Sequence, residues 1–148
     1  MFCKCHCSHD RNCAGAAQAL VLVGDTDGAL AYTSDDAMKM YVTHGAHLSG
    51  TRQRGQALAA TGDGAAAVAC LEKAAADAAE VGMFMHELQA VLALVTCGLG
   101  GAEAARRLGS LVGKLEGSPE QVEALLQTRD GAPAVDLGEL KRNYGLVS

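Results

Sequence analysis

Isoleucine and tryptophan are absent from this chain of 148 residues, phenylalanine occurs twice and tyrosine three times. β-branched and aromatic residues are what a pleated, half-buried strand favours, so a β-sandwich is left with little of its usual material. Proline occurs only twice, and the eighteen glycines follow no Gly-X-Y period, which sets aside collagen-like and proline-rich disordered chains. No apolar run approaches the ~18–20 residues that span a bilayer. The run Ala90 to Val95 reads as the inner part of a helix. Cations are scarce too. Twelve Lys and Arg face seventeen Asp and Glu, for a net charge of −5 and a pI near 5.4. The basic residues form pairs (Arg52 with Arg54, Arg106 with Arg107, Lys141 with Arg142) rather than the continuous stripe that displaces counterions from a duplex. The charge pattern therefore argues against nucleic acid as a partner. Met1 to Cys5 contains no apolar core of the secretory type, so the expected location is the cytoplasm, where cysteines stay reduced.

Alanine and leucine are abundant, at 28 and 18 residues. Both favour helix, and the length suits one domain, so the expected fold class is all-α. Internal repetition sharpens this. Gln18-Ala19-Leu20 followed by Gly24-Asp25 recurs as Gln56-Ala57-Leu58 followed by Gly62-Asp63, at an offset of 38. The same offset aligns Ala29-Leu30-Ala31 with Ala67-Val68-Ala69, and a weaker third copy begins at Gln89-Ala90-Val91. A glycine in the left-handed conformation can end one helix while the following Asp caps the next. The pattern predicts helix pairs at Cys13–Val23 with Asp27–His44, Thr51–Thr61 with Gly64–Val81, and Met83–Thr96 with Ala102–Leu115. Ser118-Pro119 opens a further helix, and Asp136–Asn143 forms a short last one. In the second copy Ala67, Leu71, Ala74, Ala75, Ala78 and Val81 make a core-facing stripe. The stretch 19–33 has a second reading as a β-hairpin; the shared register favours helices. Organisation follows as a Cys/His-rich segment over 1–13, a helical repeat domain over 14–128 and a tail with a short helix over 129–148.

Gln56-Ala57-Leu58, Gly62-Asp63, Ala67, Leu71, Ala75, Ala78, Gly82, Glu87-Leu88 and Ala90 make the stretch Gln56–Leu94 similar to tetratricopeptide-like repeats. The spacing departs from the usual period of about 34 residues, and the aromatic positions of such repeats are mostly unfilled. The resemblance implies a right-handed superhelix with a concave face for a peptide or protein. A compact helical bundle is the competing arrangement.

Chemistry concentrates at the beginning of the chain. Cys3, Cys5, His6, Cys7, His9 and Cys13 put four thiols and two imidazoles within eleven residues. Thiolates with imidazoles suit zinc, copper or an iron–sulfur cluster. In an extended chain alternate residues share a side, so Cys3, Cys5 and Cys7 can converge with Cys13 on one ion. His6 and His9 then support the ligands or replace one. The Cys-x-Cys-x-Cys spacing is not a zinc-finger knuckle, and a flexible thiol-rich tail is the plainer alternative. Elsewhere the signals are weaker. His44 and His47 read as residues of a helix C-terminus, Met83 and Met85 as packing, and Cys70 and Cys97 as core. Asp25 and Asp27 lack the distal Glu of a calcium loop, and Gly98–Gly101 lacks the Lys of a phosphate loop. No catalytic set can be assembled. The expected function is a small non-enzymatic interaction or scaffold subunit that binds a protein partner or a second copy. The alternative is a metal-handling protein, a sensor, chaperone or small metalloprotein.

Overall fold

The computed structural model describes residues 9–115, with side chains from 15 onward. Among the described residues every regular element is a helix: α1 (His9–Val23), α2 (Thr26–Tyr32), α3 (Asp35–Met38), α4 (His44–Ala60), α5 (Gly64–Glu80), α6 (Phe84–Thr96) and α7 (Gly101–Val112). The all-α expectation holds, and residues 19–33 are helical rather than a hairpin. None of these helices is long and apolar enough to cross a membrane. The two helices expected beyond residue 117 lie outside the described residues.

Four helix ends share one device. Gly24, Gly62, Gly82 and Gly98 all have φ between 70° and 89°. The residue after each donates its N–H five residues back: Asp25 to Leu20 O at 2.9 Å, Asp63 to Leu58 O at 3.1 Å, Met83 to Ala78 O at 2.8 Å and Leu99 to Leu94 O at 2.8 Å. This is the Schellman closure, which satisfies carbonyls that a helix end leaves open. At the first two turns the following Asp also caps the next helix, Asp25 accepting from Gly28 N at 2.9 Å and Asp63 from Ala66 N at 3.1 Å. The duplicated Gly-Asp is therefore one turn used twice.

The helices that follow those two turns differ. The continuous helix expected over Asp27–His44 is broken after Tyr32. Ser34 accepts the Ala37 N–H at 3.3 Å and Asp35 and Asp36 occupy the next turn, so a new helix starts there. Residues 71–74, at the same register in the second copy, are Leu-Glu-Lys-Ala, and α5 runs on for 17 residues. Thr43 accepts from Ala46 N at 3.1 Å and opens α4 at His44, seven residues before the expected start. His44 and His47 consequently stand in the first turn of a helix, not its last, where a cationic imidazole opposes the dipole.

The chain divides into two compact units, residues 1–87 and 88–148. In the first, α4 packs against α1, α2 and α5. Between Gly45 and Ala59 only His47 is exposed, so α4 is a central helix with neighbours on several sides. Small residues set its spacing. A Cβ on Gly55 would stand 2.6 Å from Leu71 Cγ, and one on Gly50 would stand 2.7 Å from Tyr41 Cε2. Both glycines are seats for large side chains. Tyr41, only 3% exposed, donates its hydroxyl to Tyr32 O at 2.8 Å and ties the α3–α4 connection to the end of α2. On α5 the buried stripe is Ala67, Leu71, Ala74, Ala75 and Ala78 as expected, but Val81 is 47% exposed because the chain turns out at Gly82. In the second unit Leu88, Ala90, Val91, Ala93 and Leu94 of α6 are buried. So are Ala104, Ala105, Leu108 and Leu111 of α7, spaced at one helical face.

Candidate functional site

Two faces of α4 carry polar groups with unusual surroundings, both within the first unit. The first lines a cleft of about 420 Å³, bounded by the end of α2, by α3 and by facing stripes of α4 and α5. His47, Thr51 and Arg54 come from α4, and Cys70, Lys73 and Asp77 from α5. Each set is spaced at three or four residues, which places its members on one side of a helix. Thr33, Asp35, Met38 and Leu48 complete the lining. Arg54 meets Asp35 at 2.6 Å, and Lys73 meets Asp77 at 2.6 Å. Two cations and two carboxylates thus ring a floor of Met38 and Leu48. Asp35 is 89% exposed and Lys73 66%, so both pairs are held weakly and can exchange partners. Burial raises the Cys70 thiol; Arg54 opposes this and Asp35 adds to it. A thiol held protonated is a poor nucleophile. The cleft can hold a chain of mixed charge by hydrogen bonds and ion pairs.

The second face carries Arg52 and Gln56, with His86 from the first turn of α6 against it. Gly45 sits opposite His86 Nε2, where a Cβ would come within 3.3 Å. Arg52 Nη1 reaches Gln56 Oε1 at 3.5 Å, the limit of a hydrogen bond, while Arg52 Nε and His86 Nδ1 are buried without a hydrogen-bond partner among the described residues. Burial, and secondarily the Arg52 charge, hold the His86 imidazole below its ordinary value of 6.5. The native state therefore resists taking a proton that the unfolded chain accepts, and stability is lost as pH falls below that value. Urea midpoints at about pH 7.5 and about pH 5.5 check this. The drop in midpoint on acidification should be smaller for His86→Gln than for the parent chain, and an equal drop would refute the assignment.

Of the residues singled out by sequence, Cys3, Cys5, His6 and Cys7 lie outside the described residues. His9 and Cys13 fall within the span of α1, but their side chains lie outside the description. Among the described residues no group of three His, Cys, Asp or Glu comes together to hold a metal. Cys70 is half-buried at the cleft rather than in the core. Cys97 is also half-buried, its thiol raised by burial and eased back by a hydrogen bond with Thr96. His47 lines the cleft, its ring centroid 6.1 Å from that of Tyr41 and the two planes tilted by 59°. Sequence reasoning missed Asp35, Lys73 and Asp77 altogether. The 47/51/54 stripe and the Lys73–Asp77 spacing were the available signals. Comparison with known proteins returns no family model, no curated protein and no solved structure that matches this chain.

Proposed function

We propose that this chain is a small non-enzymatic interaction or scaffold subunit whose cleft between α3, α4 and α5 receives a segment of another protein. The supporting observation is the cleft itself: it is large enough for one or two side chains, and is ringed by loosely held charges of both signs over an apolar floor. The proposal extends to helix pairs stacked in a tetratricopeptide-like superhelix, with a compact bundle as the alternative, and to a cytoplasmic setting. The twice-used Gly-Asp turn supports the stacked reading. Reversing both cleft cations, Arg54→Glu with Lys73→Glu, should abolish recovery of the partner from native extract while leaving the helical circular-dichroism signal in place. Exposed ion pairs contribute only about 0–1 kcal/mol to folding, so the fold tolerates the change. Undiminished recovery of the same partner would overturn the proposal, and a second copy of this chain as that partner would identify a homo-oligomer.

A second reading rests on the density of thiols and imidazoles in residues 3–13. In this reading the chain handles zinc, copper or an iron–sulfur cluster through Cys3, Cys5, Cys7 and Cys13, with His6 and His9 in support. Elemental analysis of purified protein should then show about one bound ion or cluster per chain, lost when residues 1–13 are removed. Equal metal content before and after truncation would contradict it.

A further inference from the structure

The two helices that wall the cleft have a readable register. α4 ends at Ala60 and α5 begins at Gly64, and a Cβ on Gly55 would meet both Leu71 and the Ala67 carbonyl. Helices that touch at equal distances from the turn joining them run antiparallel. Carried along α4, the same register sets Arg54 level with Cys70, Thr51 level with Lys73 and His47 level with Asp77. All six line the cleft, which is therefore a furrow of three steps. At 1.5 Å of rise per residue, about 10 Å separates the Arg54 step from the His47 step. The ion pairs at the two ends are seated in opposite senses. The Arg54 side chain is 36% exposed and that of Asp35 89%, so the guanidinium is fixed and the carboxylate is solvated and replaceable. At the other end Asp77 is 44% exposed and Lys73 66%, so the carboxylate is fixed and the ammonium, on its flexible stem, is replaceable. Between them Thr51 donates its hydroxyl proton to His47 O at 2.9 Å, which leaves its oxygen to accept from a ligand N–H.

We infer that the cleft selects a dipolar protein segment, with a carboxylate side chain against Arg54, a Lys or Arg side chain against Asp77, and two residues between them over Met38 and Leu48. This deepens the reading of the cleft as a receptor for a protein segment, and rests on it. A polyproline-II segment fits the spacing. It advances about 3.1 Å per residue with three residues per turn, so residues i and i+3 share a side about 9 Å apart. Asp35 and Lys73 give way to the charges of the segment. Each exchange trades one weak, exposed ion pair for another, and the order of charges along the furrow sets which partner is accepted. A segment of one sign satisfies one fixed group and sets a like charge beside the other.

The test titrates the full-length chain with four blocked peptides: Glu-Pro-Leu-Lys, Lys-Pro-Leu-Glu, Glu-Pro-Leu-Glu and Lys-Pro-Leu-Lys. The readout is the backbone amide NMR signals of the residues that line the cleft. The better of the two mixed-charge peptides should bind at least about fivefold more tightly than either single-sign peptide. Arg54→Gln and Asp77→Asn should each weaken it by about the same factor, whereas Asp35→Asn and Lys73→Gln should leave it equal or tighter. Asp77→Lys should move the preference to Glu-Pro-Leu-Glu. The wild-type comparison among peptides needs no variant, so it stands even if a variant fails to fold. Tightest binding of a single-sign peptide to the wild type, unchanged binding in Arg54→Gln and Asp77→Asn, or no response to any peptide would overturn the inference. A partner still recovered from native extract, and lost on reversing Arg54 and Lys73, would in that case keep the cleft as a receptor and remove only its charge order.

Discussion

Replacing Gly55 by Ala should destabilise the fold by about 1–3 kcal/mol, although the same change in an open helix stabilises it by roughly 0.5–1 kcal/mol. The sign is decided by space. The added methyl would stand 2.6 Å from Leu71 Cγ, 2.9 Å from its Cδ2 and 3.3 Å from the backbone oxygen of Ala67. Leu71 is fully buried, so there is no open space into which it can turn without disturbing close-packed neighbours. Either α5 moves away from α4 or Leu71 leaves its rotamer, and both carry an energy penalty. Leu71→Ala alone should cost about 2–5 kcal/mol by leaving a cavity. The two changes together should cost less than their sum, because the new methyl enters space that the leucine vacates. Chemical denaturation of the two single variants and the double variant measures this coupling. Strict additivity would show that α4 and α5 do not meet at this contact.

Gly62→Val should cost about 1–3 kcal/mol for a different reason. Nothing lies within 4 Å of the position where its Cβ would be, so there is no clash to relieve. The cost is in the backbone: φ is +89°, a conformation that a β-branched residue reaches only under strain. Gly62→Asn should cost much less, since Asn tolerates the left-handed region. Gly24, at φ +79° and equally open, should give the same order of Val and Asn effects. Thermal melts of the four variants check this. Equal losses for Val and Asn at one turn would mean that the left-handed closure is not what the glycine provides there.

The two turns were legible because every group involved is local: a glycine, an Asp one residue later, and carbonyls within six residues. The break between α2 and α3 was equally local, in the Ser34-Asp35-Asp36 cap, but the repeat register suggested a longer helix and hid it. The beginning of α4 was invisible for another reason. Periodicity finds a helix with one buried face, whereas α4 has neighbours on several sides and spaces its apolar residues with Gly50, Gln53 and Gly55. Val81 was misplaced because the helical stripe says nothing about where the chain turns away. The cleft shows the same limit. Lys73 and Asp77 are one turn apart and could be paired on paper, but Asp35 and Arg54 are nineteen residues apart and meet only through the packing of α3 on its neighbours. Composition alone anticipated the alanine-rich core. Twelve of the twenty buried hydrophobic side chains among the described residues are alanines.

The most direct measurement of the cleft's role is site-specific photo-crosslinking in native extract. A photoreactive phenylalanine is placed at position 47, where His47 lines the cleft, and in a parallel protein at position 76, where Ala76 is exposed on α5 outside it. The account predicts a discrete adduct with one protein from position 47, absent from position 76 and lost when Arg54→Glu and Lys73→Glu are added. The same adducts from both positions, or an adduct at position 47 that survives reversal of both cations, would contradict it.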